Sequence, residues 1–232
     1  MMNHRLQFAR ARVWLVLAHL VVVLSVASAQ DRGGFSARYI PDDAVIAAML
    51  SPSQVLSSPE WEMMPTEVIR AAGLEYIGVD PMNIEAVKLV VGVPNPRAPQ
   101  GGLVVQFRSD FAIDDLKPAV LDAFDKREVA GRTIFQTRQE PVAHMYQVGP
   151  RTILVGVGGY LRELLAASTG GDGKLPVMVN RLTPESGVTA VAVLDQIRPM
   201  VTAMLRRGTP QLPPPVQELS DFAQLTDSVY LN

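Results

Sequence analysis

Histidine and cysteine set the limits of the chemistry this chain can do. Its 232 residues include no cysteine, and its three histidines are His4, His19 and His144. Without cysteine there are no disulfides, zinc–thiolate sites, iron–sulfur clusters or thiol nucleophiles. His4 and His19 fall in an N-terminal segment that reads as removable, so His144 is the remaining imidazole. A site built on two histidines is thereby excluded. Alternation puts His144 mid-strand, on the face of Tyr146 and Val148. A general base needs a neighbouring nucleophile and an orienting acid, and nothing local supplies either. His144 therefore reads as a half-buried strand residue.

Other groupings meet a plainer account. Asp110, Asp114 and Asp115 cluster where a helix is expected to begin. Oxygen ligands for a hard cation come in such clusters, but the calcium-loop spacing is missing, and acids also cap a helix start. Asp172 stands among glycines and reads as a turn residue. Gly156-Val157-Gly158-Gly159 lies between a strand and a helix, where backbone amides can hold phosphate. Leu161 stands where the dinucleotide fingerprint needs its third glycine, and no Lys-Ser/Thr follows, so a tight turn is the better reading. Glu60, Glu62 and Glu67 lie beside Trp61, a pattern compatible with sugar binding, yet a Pro-Glu helix start explains the acids. Met49, Met63, Met64 and Met82 read as adaptable core filler. The prolines from Pro213 read as a stiff connection.

The N-terminus is more informative. Arg5, Arg10 and Arg12 precede an apolar run from Val13 to Leu24, broken only by His19, and Ala27-Ser28-Ala29 follows. Basic start, short apolar core and small-residue exit make a secretory signal. Cleavage is expected after Ala29, with Gln30 as the new N-terminus. The core lies at the low limit for spanning a bilayer of ~30 Å, so the protein meets a membrane only if the signal is retained. No cysteine follows the core, which closes the lipoprotein route. Removing 29 residues takes three arginines and no acid, so the net charge moves from −2 to −5. An acidic chain argues against nucleic acid as a partner, because phosphate needs clustered Lys and Arg. The pair Arg206-Arg207 reads as the end of a helix, where cations complement the dipole.

These residues need elements to carry them. Residues 30–40 are expected to be a flexible leader. Ala44 to Leu50 is a continuous apolar run, expected to be a buried strand. Helical pieces interrupted by Pro59 and Pro65 follow, the second ending at Gly73. Ala86–Val93 and Leu103–Arg108 are expected strands around a Pro/Gly loop, an antiparallel hairpin. A helix is expected after Asp110, with Ile113, Leu116, Val120, Leu121 and Phe124 on its apolar face. Thr133–Arg138, Ala143–Val148 and Thr152–Val157 form a meander, with connections too short for crossovers. A helix over Tyr160–Ala167, a mobile loop over residues 170–173, a strand over Val188–Leu194 and a helix over Gln196–Arg207 follow. Another helix runs to about Gln224, and Ser228–Leu231 begins a strand.

The chain also resembles itself. Pro41-Asp42-Asp43-Ala44-Val45 parallels Pro184-Glu185-Ser186-Gly187-Val188, 143 residues on. Gln54-Val55 matches Gln196-Ile197, and Ala86–Leu89 matches Ser228–Leu231, each 142 residues on. Strand, helix and strand recur in order, the pattern of a duplication. One unit is then expected over 41–183 and a second over 184–232, apparently incomplete and stopping inside its second strand. Such a strand is expected to leave an unpaired edge, so that either it pairs with the first unit, a protein partner or a second copy, or the chain is a truncated form of a longer protein.

Pro-Asp before a strand, Ser-Pro in the next helix, then Asp80-Pro81 with Ile84-Glu85 resembles a group of exported bacterial proteins that have no assigned activity. Arg127–Ile134 looks like their charged turn into the meander, and Arg151–Gly156 like their last meander strand. The resemblance implies a repeated strand–helix–hairpin–helix–meander unit and an exported location, and no site residues.

The expected fold is α+β: a mainly antiparallel sheet with helices on one face and a possible incomplete second repeat. The expected role is an exported, periplasmic or extracellular protein that binds or assembles, with no cofactor and no metal. A periplasmic hydrolase using scattered carboxylates and serines, and a membrane-tethered protein with its signal retained, are the alternatives.

Overall fold

The structure, a computed structural model, describes residues 36–62, 65–93, 100–182, 187–195, 198 and 228–231. The strands are β1 (Ala44–Leu50), β2 (Ile84–Gly92), β3 (Gly101–Phe107), β4 (Phe124–Val129), β5 (Arg132–Thr137), β6 (Ala143–Gly149), β7 (Thr152–Val157), β8 (Val188–Val193) and β9 (Ser228–Leu231). The helices are α1 (Pro52–Leu56), α2 (Thr66–Tyr76), α3 (Pro118–Leu121), α4 (Leu161–Ala166) and α5 (Lys174–Val179). All the strands join one sheet, in the order β4-β5-β6-β7-β3-β2-β1-β8-β9. Every pair is antiparallel. The fold is α+β with a mainly antiparallel sheet.

Strand alternation gives the sheet two apolar faces. On the first, Ala47, Met49, Val90, Val104, Leu154, Val191 and Val193 are buried. Helices α4 and α5 cover it, joining Leu161, Leu164, Leu175 and Val179 to the same core. On the second, pairing aligns Phe135, Met145, Val155, Leu103, Leu89, Ala48, Ala190 and, by register, Leu231 in one row across eight strands. The row holds no polar residue. Phe107, Ile113, Leu116, Phe135 and Ile153 form a second core at its β5–β6 end. Phe107 and Phe111 stack there with ring centroids 4.4 Å apart.

Several expectations need correction. The leader does not extend to residue 40. Ala37, Tyr39 and Ile40 are buried in the first core, because the backbone is tied down: Ala37 N donates to Asn180 Oδ1 (3.0 Å) and Tyr39 N to the Ala167 carbonyl (2.7 Å). The expected long helix after Asp110 is a 3-10 turn over Ile113–Asp115 and the short α3. Pro118 can open a helix but cannot continue one. Phe124 then starts β4, so Arg127–Val129 is strand and not turn. Gly73 lies inside α2 rather than ending it; a Cβ there would stand 2.5 Å from the Val79 carbonyl oxygen. The glycine serves that close approach.

The loop over residues 170–173 is held rather than mobile. Asp172 N and Gly173 N both donate to Asp42 Oδ1, at 2.6 and 2.9 Å. The carboxylate of one connection thus fixes another, just before α5. Asp42→Ala is expected to cost about 1 kcal/mol and to speed amide exchange at Asp172 and Gly173. Unchanged exchange there would show that the loop holds itself.

The expected helix over Gln196–Arg207, the proline run from Pro213 and the helix running to Gln224 lie outside the described residues, apart from Arg198, whose N–H donates to the Leu194 carbonyl (2.8 Å). The 30–35 part of the leader and the signal segment lie outside them too.

Candidate functional site

The structure disperses the groups that sequence placed close together. Asp110 pairs with Arg151 at 2.9 Å, Asp114 with Lys126 at 3.7 Å, and Asp115 Oδ2 accepts from Ala112 N at 3.1 Å. Each acid has its own structural partner, and no group of metal-binding side chains forms among the described residues. His144 pairs in the ladder with Gln136 and Gly156. It is half-buried, and its ring makes no hydrogen bond or ion pair among the described residues. Asp172 contributes its backbone N–H, as above. Met49 is core and Met82 is half-buried in a turn, while Met63 and Met64 lie outside the described residues.

The Gly156–Gly159 turn seats a helix. A Cβ on Gly156 would lie 2.1 Å from Leu161 N, and one on Gly102 would lie 2.7 Å from Leu164 Cδ1. A Cβ on Gly92 would lie 2.8 Å from the Tyr160 ring. Three glycines on one sheet face therefore let α4 lie directly on the strands. The same closeness buries the Tyr160 hydroxyl, which has no hydrogen-bond partner among the described residues, and burial raises its pKa.

Trp61, Glu62 and Glu67 do converge. They line an open depression of about 560 Å³ together with Ser58. Glu60 sits in the 3-10 turn over Pro59–Trp61. Carboxyl pairs that hydrolyse sugars differ in environment, one held protonated by apolar surroundings. Glu62 and Glu67 are both exposed, so the depression lacks that asymmetry.

One charged residue escaped the sequence reading. Lys88 is 1% exposed, in the middle of β2 on the helix-covered face. Its ammonium donates to Ser36 O (3.0 Å), Ser36 Oγ (3.2 Å) and Arg38 O (3.3 Å). Burial, reinforced by the charge of Arg38, lowers its pKa to about 8. Three oxygens match three N–H donors, so Lys88 is a clasp that fastens residues 36–38 across the sheet. A lysine inside Ala86-Val87-Lys88-Leu89-Val90 was the signal that could have found it.

The feature that could act on another molecule is the sheet's pair of edges. The β4 edge carries Asp125, Lys126, Arg127 and Glu128 in succession. Asp125 pairs with Arg138 at 2.7 Å, and Lys126 lies over the Phe135 ring at 5.5 Å. Mixed charge along an edge blocks the addition of further strands. The β9 edge is Ser228-Val229-Tyr230-Leu231, with no charge, and Tyr230 is 39% exposed. No described strand lies beyond it. Among the described residues, the β4 edge is charged and β9 is not.

No family model matches the chain, and no curated protein matches it. Among solved structures it is similar to three crystal forms of a protein named TP0453. Form III has a TM-score of 0.48 at 14% identity, covering 79% of this chain and 70% of that one. Form I has 0.44 at 10% identity, covering 85% and 91%. Form IV has 0.41 at 12% identity, covering 70% and 64%.

Proposed function

We propose that this chain is an exported cell-envelope protein that acts by binding or assembly, through strand addition at β9, and not by catalysis. The observation that carries the reading is the contrast between the charged β4 edge and the uncharged β9 edge. Strand addition takes its affinity from main-chain hydrogen bonds and its selectivity from alternate side chains. The apolar row running through eight strands to β9 gives an added strand a surface to extend. Export is supported by the basic start, the apolar core and the Ala27-Ser28-Ala29 exit. No helix among the described residues is long and apolar enough to cross a membrane. The location is periplasmic or extracellular, with cleavage before Gln30.

The test is the native size of the protein in gentle extracts of the cells that make it, for the unmodified chain and for Val229→Lys. The unmodified chain is expected to migrate as an assembly, and the lysine variant at the size of one chain. A charge substitution at Arg127 on the other edge should change nothing. Single-chain migration of both proteins would contradict the reading. So would a hydrolase activity abolished by Glu67→Gln.

A further inference from the structure

Helix α2 hides none of its residues. It reads Thr-Glu-Val-Ile-Arg-Ala-Ala-Gly-Leu-Glu-Tyr, and no position along it is buried. Helical spacing puts Val68, Ala72 and Tyr76 in one line, with Pro65 and Ile69 beside it. Val68 is 61% exposed and Tyr76 69%. A helix in a protein draws most of its stability from covering such a stripe, as α4 and α5 do on the sheet.

The stripe faces outward because α2 is fastened by another side. Arg70 Nε and Nη2 donate to Asp80 Oδ2 at 3.1 and 2.8 Å. Asp80 Oδ1 also accepts from Met82 N at 2.9 Å. The Gly73 carbonyl accepts from the N–H groups of Gly78 and Val79 at 3.0 and 3.2 Å. Gly73 and Arg70 lie around the helix from the stripe. At its N-terminal end the stripe meets the depression of about 560 Å³, whose lining includes Trp61, Pro65 and Thr66.

The surroundings are acidic. Residues 51–80 carry five acids and one cation, Arg70, and Asp80 occupies that cation. Glu75 borders the stripe, and Glu62 and Glu67 line the depression. All three are exposed, and none is in an ion pair among the described residues. Arg70 acts on Glu67 only at longer range.

We infer that α2 and the depression beside it form a docking surface for a basic amphipathic helix of another protein. Such a helix is read by its apolar stripe, and the carboxylate rim selects it by charge. Lysines or arginines beside its stripe meet Glu67 and Glu75, and a large apolar side chain enters beside Trp61. A second copy of α2 would bring two acidic rims together, and an anionic bilayer would repel them. This surface is separate from β9, and neither reading depends on the other.

The probe is a Leu/Lys peptide of about 14 residues with its leucines at helical spacing. It is added to the full chain and followed by Trp61 fluorescence, with Trp61→Phe as the blank, and by calorimetry. Saturable binding is expected. Val68→Ser with Tyr76→Ser should weaken it at least tenfold, and so should Glu67→Lys with Glu75→Lys. All four positions are exposed, and an unchanged melting temperature checks the fold. Two controls need no variant: a scrambled peptide without the stripe, and a Leu/Glu peptide that keeps it, should each bind at least tenfold more weakly. Val229→Lys should leave peptide binding unchanged, so failure at β9 and failure here are told apart. Absence of saturable binding would overturn the inference. Equal binding of the scrambled peptide would reduce it to charge attraction, and equal binding of the Leu/Glu peptide would remove the role of the rim. A shift of Trp61 fluorescence by phosphatidylcholine vesicles alone would make this a lipid-facing surface instead. A mass that rises with concentration and is restored by Val68→Ser would make it a contact between copies. Each of these results contradicts the proposal.

Discussion

Gly156→Ala is expected to cost about 3 kcal/mol or more of folding stability, several degrees in melting temperature. The new Cβ would lie 2.1 Å from Leu161 N and 2.5 Å from Leu161 Cα. Both obstacles are backbone, so no side-chain rotation relieves them. Helix α4 must rise from the sheet, which loosens Leu161 and Leu164, both in the first core. Gly149 supplies the control: an added Cβ there meets nothing within 4 Å, and Gly149→Ala should stay within about 0.5 kcal/mol of the unmodified protein. Denaturant unfolding measures both. A cost below about 1 kcal/mol for Gly156→Ala would mean that α4 shifts freely.

Lys88→Ala is expected to remove about 2–4 kcal/mol. It empties the space of three methylenes and the ammonium and leaves the Ser36 and Arg38 carbonyls without their donor. Residues 36–40 should then exchange and be cut by protease sooner than α5. The same lysine makes stability depend on pH. Its pKa is about 8 in the folded protein against 10.5 ordinarily. Between these values the unfolded chain holds more protons, so its contribution to stability rises with pH. Below about pH 8 the cost of burying the charge is fully present, up to about 3 kcal/mol. Above about pH 10.5 it is gone. Lys88→Met keeps the volume and removes the charge, so its stability should lose this rise between pH 8 and 10.5. An equal rise in the variant would place the dependence elsewhere.

Much of the sheet was legible because its strands carry period-2 or continuous apolar signals. Ala44–Leu50 and Thr152–Val157 were placed to the residue, and β2, β3, β5, β6 and β8 within two residues at either end. β4 was missed because an edge strand that resists pairing has few apolar residues, and Asp125–Glu128 looks like a turn. Helix α5, Lys-Leu-Pro-Val-Met-Val, was missed because its proline reads as a breaker, though it sits in the first turn where it is tolerated. The buried strap of residues 36–40 carries no periodicity. Lys88, Ala167 and Asn180, the nearest of them 48 residues beyond its last residue, hold it through contacts that only the fold creates. The sequence offers two offsets, 143 and 142, and strand pairing relates residues 142 apart. The uncharged stretch Ser228–Leu231 was legible as a strand. Its contrast with β4 was not, since β4 itself was not foreseen.

Amide hydrogen exchange at Ser228–Leu231 tests the central claim most directly, measured in the assembly as extracted and again in the purified single chain. Slow exchange in the extract and fast exchange after purification is the predicted result, with β7 equally protected in both. Equal exchange at β9 in the two preparations would contradict a function based on strand addition.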